Sequence, residues 1–208
     1  GNRNPRPDFE ATDLELDQGI TMKVNGIQIR SPYQGFYNAY NLLAAVALTK
    51  SLGVEDAVIQ EALAGFQPQA GRMERFVIGE REAILTLVKN PTGFNQSLQT
   101  LLQDKRSKNL FIALNDNVAD GRDISWIWDA DLESVTVPGT AISVFVCSGL
   151  RSGDMAVRAK YAGVDMAIIE IESNLEAGIR KALQGPGEVS YILSTYTALF
   201  QCRKILLD

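Results

Sequence analysis

The sequence predicts an α/β protein with a mostly parallel sheet, preceded by a smaller region of antiparallel hairpin and helix. Two patterns carry that prediction. From residue 71 onward, short apolar runs alternate with stretches of helical period, and the runs are apolar almost throughout. Strands of that kind are covered on both faces, which in this class means a parallel sheet between helices. Before residue 30 the period is two, interrupted by an Asn-Gly step at 25–26, a strong signal for an antiparallel hairpin.

The elements follow in order. Residues 1–8, G-N-R-N-P-R-P-D, are polar and proline-rich and read as an exposed lead-in. Residues 9–16 alternate, a turn falls at Asp17-Gln18-Gly19, and residues 20–24 and 27–29 are strands about Asn25-Gly26. Residues 40–52 read as an Ala/Leu-rich helix stopped at Gly53, and residues 55–65 as a second helix. Residues 74–78 and 83–88 read as strands around a Gly79-Glu80-Arg81 turn, and Lys89-Asn90-Pro91-Thr92-Gly93 breaks the second of them. A helix is expected over 94–103, a strand over 110–114, a strand over 141–147 and a helix over 151–162. Another strand follows over 165–171, then a helix over 175–184, a strand over 189–193 and a closing helix over 197–206. The division this suggests is 1–68 and 69–208, the second a complete α/β domain and the first too small a sheet to fold alone.

Composition narrows the function. The 208 residues are 46% hydrophobic and 22% charged with a net charge of −5, so the chain is an ordinary globular one. The negative balance argues against nucleic acid or an anionic membrane as the main partner. No apolar run is long enough to span a bilayer and no signal peptide opens the chain. The two cysteines, Cys147 and Cys202, sit in apolar contexts and read as core thiols rather than a disulfide or metal site; the expected location is cytoplasmic. The sequence contains no histidine. It therefore supplies neither a Ser-His or Cys-His pair nor a histidine metal site. No G-x-x-x-x-G-K-[ST] and no G-x-G-x-x-G phosphate loop occurs in these residues.

One stretch concentrates the chemistry. Residues 115–129, N-D-N-V-A-D-G-R-D-I-S-W-I-W-D, follow the apolar run Leu110-Phe111-Ile112-Ala113-Leu114 and hold Asp116, Asp120, Asp123, Asp129 and both tryptophans, Trp126 and Trp128. A strand that opens into an Asn/Asp/Gly loop puts polar groups at the carboxyl edge of a sheet, where α/β folds bind ligands. Turn chemistry explains the same residues equally well, since Asp, Asn and Gly are the usual turn formers and Asp123 can cap a short helix before Ser125 and Trp126. If Asp123 orients a catalytic base, that base comes from another polypeptide.

Several segments carry a family resemblance. Gly35-Phe36-Tyr37-Asn38-Ala39-Tyr40-Asn41, Gly71-Arg72-Met73-Glu74 and Asn90-Pro91-Thr92-Gly93-Phe94-Asn95 follow the order seen in Mur-ligase-type enzymes, from the end of a central ATPase domain into a Rossmann-like C-terminal domain. Residues 115–129, the segment S-G-L-R-S-G-D-M-A-V-R-A-K-Y-A-G-V and the closing T-Y-T-A-L resemble more narrowly the MurT family, the Mur-ligase-like subunit of lipid II isoglutaminyl synthase. The resemblance implies a ligase subunit that uses ATP and Mg2+ to activate the α-carboxylate of D-glutamate in the lipid II stem peptide. A GatD-type glutamine amidotransferase subunit delivers the ammonia, leaving D-isoglutamine. In that family the partner contributes a Cys and a His, and the MurT-like domain contributes the third member, an Asp. The position that matches is Asp123, with Asp116 the runner-up; Asp120, before Gly121, reads as a turn former. Trp126 and Trp128 would then anchor the partner interface or pack beneath the loop. The resemblance likewise places Asn38 and Asn41 near adenine, Arg72 as an arginine that reaches the nucleotide on domain closure, and Asn90 and Asn95 on the loop that faces the central domain. Read as residues alone, these five are equally caps, turn formers or salt-bridge partners.

Family members also carry a G-T-N-G-K-T-type phosphate loop and, in the MurT type, a four-cysteine zinc ribbon. Neither is in these residues. The chain is thus expected to be the C-terminal part of a longer protein, unable alone to hydrolyse ATP or amidate lipid II. The alternatives are an amino-acid-adding Mur ligase with no partner, against which the missing histidine and the 115–129 segment count, and a non-catalytic module that binds a partner through its Trp/Asp loop.

Overall fold

The structure is a computed structural model that describes residues 5–16, 19–33, 35–66 and 70–208. It divides into two compact units, residues 1–68 and 69–208. The Asp17-Gln18 part of the first expected turn lies outside the described residues.

The first unit is a three-stranded antiparallel sheet with two helices. Its strands are β1 (Ala11–Glu15), β2 (Ile20–Val24) and β3 (Ile27–Ser31), in that spatial order. Val24 pairs with Ile27 across the Asn25-Gly26 turn. Both turn residues have positive φ, 46° and 88°, as the tight hairpin turn requires. The period-two pattern buries Ile20, Met22, Val24 and Ile29 against Ala39, Leu42 and Val46 of α1 (Phe36–Ser51) and Ile59 of α2 (Asp56–Ala64). Helix α1 opens at Phe36, four residues before the expected start, because Gly35 turns the chain with φ 87°. Asn38 and Asn41 consequently lie inside the helix and are not its cap.

The second unit is a six-stranded sheet in the order β4-β5-β9-β6-β7-β8. The hairpin of β4 (Glu74–Ile78) and β5 (Arg81–Leu87) is antiparallel. β6 (Lys108–Ala113), β7 (Ile142–Ser148), β8 (Ile169–Ile171) and β9 (Val189–Ser194) all run parallel to β5. All six residues of β6 are buried, and successive side chains serve opposite cores. Leu110 and Ile112 join Phe94, Leu98 and Leu101 of α3 (Pro91–Gln103) and Met155 and Ala159 of α4 (Ser152–Tyr161). Phe111 and Ala113 join Leu175 and Ile179 of α5 (Leu175–Gln184) and Leu199 and Cys202 of α6 (Tyr196–Leu207). Cys147 and Cys202 fall in different cores, and burial pushes each thiol up to about 12.

Besides the start of α1, two boundaries differ from the sequence expectation by three residues or more. Helix α3 starts at Pro91, not Phe94: Asn90 is its N-cap, accepting from the Gly93 amide at 2.8 Å, and Pro91 fills the first helical position, where its missing N–H costs nothing. Strand β8 is only Ile169–Ile171, because Asp165 folds the preceding residues into a turn, accepting from the Ala167 amide at 2.9 Å. Among the described residues no helix is long and apolar enough to cross a membrane.

Candidate functional site

The site is built where β6 ends. Its neighbours β9 and β7 end beside it, with Ala113 paired to Ser194 on one side and Ser148 on the other. The chain leaving β6 runs over the α3/α4 face, while the chain leaving β9 enters α6 on the opposite face. Divergence of neighbouring connections to opposite faces opens a crevice at the carboxyl edge.

Asn115 fills that crevice. It is buried, and its backbone N–H donates to Thr195 Oγ1 at 3.0 Å, its Nδ2 donates to Thr197 Oγ1 at 3.0 Å, and its Oδ1 accepts from the Leu150 amide at 2.9 Å. One residue thus laces together the chain segments that leave β6, β7 and β9. The fit is tight: Gly149 has φ 82°, and a Cβ there would stand 2.6 Å from Asn115 Oδ1 and 2.8 Å from the Leu114 carbonyl oxygen.

The four aspartates of the segment then separate by their partners. Asp116 is half-buried and bound to Arg151, with Nη2 at 2.7 Å and Nε at 2.8 Å from its Oδ2. Asp120 accepts from the Thr197 amide at 2.7 Å and hydroxyl at 2.6 Å, tying the loop to the start of α6. Asp123 is exposed, and its Oδ1 accepts from the Ser125 amide at 2.8 Å. That amide, with the Ser125 hydroxyl, holds its carboxyl below the usual carboxylate range. Asp129 is also exposed, and its backbone N–H closes the far end of the turn on the Trp126 carbonyl at 3.1 Å.

Between Asp123 and Asp129 lies a 3₁₀ turn, Ser125–Trp128. Its Ile127 is buried in the core, and Trp126 packs edge-on against Phe94 with ring centroids 5.9 Å apart. Trp128 is 52% exposed and lies against Tyr161, 5.9 Å between centroids. One tryptophan therefore packs beneath the loop and the other stands at its surface.

The remaining candidates are placed as follows. In the first unit Asn38 is buried, and its Oδ1 accepts from Nδ2 of exposed Asn41 at 3.0 Å. In the second unit the Gly71 carbonyl accepts from the Leu87 amide at 2.9 Å, which brings Arg72 to the carboxyl edge. Glu74 holds that corner by accepting from the Gly71 amide and from Arg203 Nε. Arg72 itself is exposed and, among the described residues, without an ion pair. Asn90 Oδ1 is taken by the cap, and Asn95 Oδ1 accepts from the Asp131 amide at 2.7 Å. Arg72, Asn90, Asp116 and the loop with Asp123 thus share one edge of one sheet. Asn115, Arg151, Thr197 and Arg158 gain their roles only from tertiary contacts. Three of these sit in the S-G-L-R and T-Y-T-A-L segments singled out alongside 115–129, so the signal lay in which segments kept company.

The family model described as MurT ligase C-terminal matches residues 87–199. The chain belongs to the MurT ligase C-terminal family. It is 35% identical over 208 residues to the MurT subunit of lipid II isoglutaminyl synthase (glutamine-hydrolyzing) from Streptococcus pneumoniae, covering 99% of this chain and 46% of that protein. It is 31% identical over 199 residues to the Staphylococcus aureus subunit, covering 96% and 45%. The chain therefore spans about half the length of the curated MurT subunits it matches. The fold is that of Mur ligases: MurF from Acinetobacter baumannii superposes with a TM-score of 0.72 at 19% identity over 97% of this chain and 46% of the other. A pseudomurein peptide ligase type C from Methanothermus fervidus gives 0.70 at 19% identity over 100% and 43%. The match to the MurT model contains the whole 115–129 segment, Arg151, Arg158 and Thr197.

Proposed function

We propose that this MurT-family chain lends Asp123 to the active site of a GatD-type glutamine amidotransferase, as part of a ligase that amidates the α-carboxylate of D-glutamate in lipid II. The observation that carries this is the division among the aspartates. Asp116 and Asp120 are bound within the chain, whereas Asp123 is outward-facing and held from behind by the Ser125 amide. A triad acid needs both properties, a fixed carboxylate and a free oxygen for an imidazole N–H. Its lowered pKa keeps it ionised at neutral pH. The absence of histidine from the sequence means the imidazole is the partner's.

In the proposed complex the partner's cysteine attacks the glutamine amide carbon while the partner's histidine takes the thiol proton and passes it to departing ammonia. Asp123 holds that imidazole in one tautomer and stabilises the imidazolium. The ammonia then displaces phosphate from the activated D-glutamate carboxylate, at the inner face of the membrane where lipid II presents its stem peptide. ATP with Mg2+ supplies the activation. Of the residues here, exposed Arg72 suits a phosphate contact and the Asn38/Asn41 pair an adenine edge, while Asn90 caps α3 and Asn95, inside that helix, accepts from the Asp131 amide. The phosphate loop of the Mur ligases is not in these residues, so the isolated chain is expected to show no ATP hydrolysis and no amidation.

The test is glutamine hydrolysis by the full-length protein in complex with its glutaminase subunit. Asp123→Asn should abolish stimulation while leaving the complex intact by gel filtration, and Asp116→Asn should retain most of it. The reverse pattern would transfer the role to Asp116, and wild-type rates in both would sink the shared triad.

A further inference from the structure

A guanidinium is expensive to bury and keeps its place only when its donors are met. Arg158, on α4, is 2% exposed. Its Nε donates to the Ile127 carbonyl at 2.9 Å and its Nη2 to the Ala130 carbonyl at 2.7 Å. Nη1 and Nη2 donate to the two carboxylate oxygens of Glu133 at 2.9 and 2.8 Å. The guanidinium carbon lies 5.4 Å from the Trp128 ring centroid. Every one of these contacts falls on residues 127–133, which begin in the second half of the 3₁₀ turn and run past its end. A leucine or methionine there would pack at lower cost, but it could not hold two carbonyls and a carboxylate at once.

Resting on the proposed role of Asp123, we infer that Arg158 is the positioning residue for that aspartate. The 3₁₀ turn is a single turn of four residues, with few hydrogen bonds of its own. At its far end Arg158 ties it to α4, whose Met155 and Ala159 are set in the core. At its near end the Ser125 amide holds Asp123. Fixing one end of so short a turn fixes the direction of the amide at the other, and so the direction of the carboxylate. Lysine cannot substitute, because an ammonium lacks the planar fork that reaches three acceptors.

The experiment is a double-mutant cycle in the full-length protein bound to its glutaminase subunit, with Arg158→Lys, Asp123→Asn and the pair. Arg158→Lys is expected to lower kcat for glutamine hydrolysis about tenfold, since small displacements of a catalytic group cost that much or more. KM for glutamine and the affinity for the partner should stay within about twofold. Added to Asp123→Asn, it should lower the residual rate no further. If Arg158→Lys does not fold, Glu133→Gln, at an exposed carboxylate, carries the same prediction at about threefold, since it weakens one arm of the clamp. A loss that persists undiminished in the Asp123→Asn background, or unchanged kcat in both clamp variants, overturns the inference while leaving the triad role intact. A wild-type rate for Asp123→Asn alone removes the functional reading itself.

Discussion

The two edges of the six-stranded sheet are both crowded with polar residues, yet they end in opposite states. At the amino edge, Arg106 binds Asp104 and Glu82 at 2.7 and 2.6 Å, and the Tyr191 hydroxyl donates to Asp104 at 3.0 Å. Buried Lys108 donates to the carbonyls of Arg106 and Thr140. Each of these charges is consumed by a neighbour. At the carboxyl edge, Asn115, Asp116 and Asp120 are consumed in the same way, but Asp123 is left outward with one oxygen fixed. Residue types do not separate the two edges. What separates them is which groups have been satisfied within the chain, since a closed network adds rigidity and an open, oriented carboxylate adds reach.

The largest expected effect breaks the carboxyl edge chemically. Asp123→Asn should lower kcat of glutamine hydrolysis in the complex by about a thousandfold or more, the scale of losing a triad acid, with no change in the melting temperature of the chain. Because the Asp123 carboxyl lies below its ordinary value, it stays charged throughout the mildly acid range. The acid limb of the wild-type rate should therefore report the partner's histidine and not this aspartate, which a pH–rate profile measures. Asp104→Asn, at the other edge, should leave the rate unchanged.

Next comes the packing that carries the open edge. Gly149→Ala places a methyl group against Asn115 Oδ1 and the Leu114 carbonyl in a backbone region that L residues avoid. A loss of about 3 kcal/mol in equilibrium unfolding is expected, from strain and overpacking together. Asp104→Asn should cost less, about 2 kcal/mol, because Arg106 keeps contact with solvent. Burial alone would raise the Asp104 carboxyl, but the hydrogen bonds from Arg106 prevail and bring it from 3.8 to about 2. A depressed carboxyl stabilises the fold above its unfolded value, and that contribution drains away as pH falls from near 4 toward 2. Denaturant midpoints across that window should slope steeply in the wild type and less in Asp104→Asn.

The sequence showed the sheet and its two-sided cover, because apolar runs such as 110–114 and 189–193 report burial directly. It also marked out residues 115–129, which hold both tryptophans and four aspartates. It could not show which aspartate was open. That depends on Arg151 and Thr197, 35 and 77 positions away from Asp116 and Asp120, and such pairings have no local period. Arg158 was hidden for the same reason: a helical arginine reads as surface until tertiary structure buries it. The start of α1 was missed because Gly35 opens it without a capping side chain, whereas the start of α3 was misread because Asn-Pro-Thr-Gly serves both as a strand break and as a helix entrance.

That ambiguity yields the smallest effect. Asn90 has two readings, a helix cap and, by the family resemblance, a contact on the loop expected to face the central domain. The structure gives its Oδ1 to the Gly93 amide, and Pro91 removes one further orphan donor, so the cap satisfies a group that would otherwise face only water. Asn90→Ala should therefore cost about 1 kcal/mol in unfolding, and Asn90→Asp, which keeps the acceptor and adds a charge favoured at a helix N-terminus, should restore it. If capping is its whole contribution, the two variants will also part in the same order in amidation by the full complex, by no more than a few-fold. A large loss of ATP-dependent amidation in Asn90→Asp, with its stability intact, would show instead that the amide nitrogen, which the cap leaves unused, is the part that works.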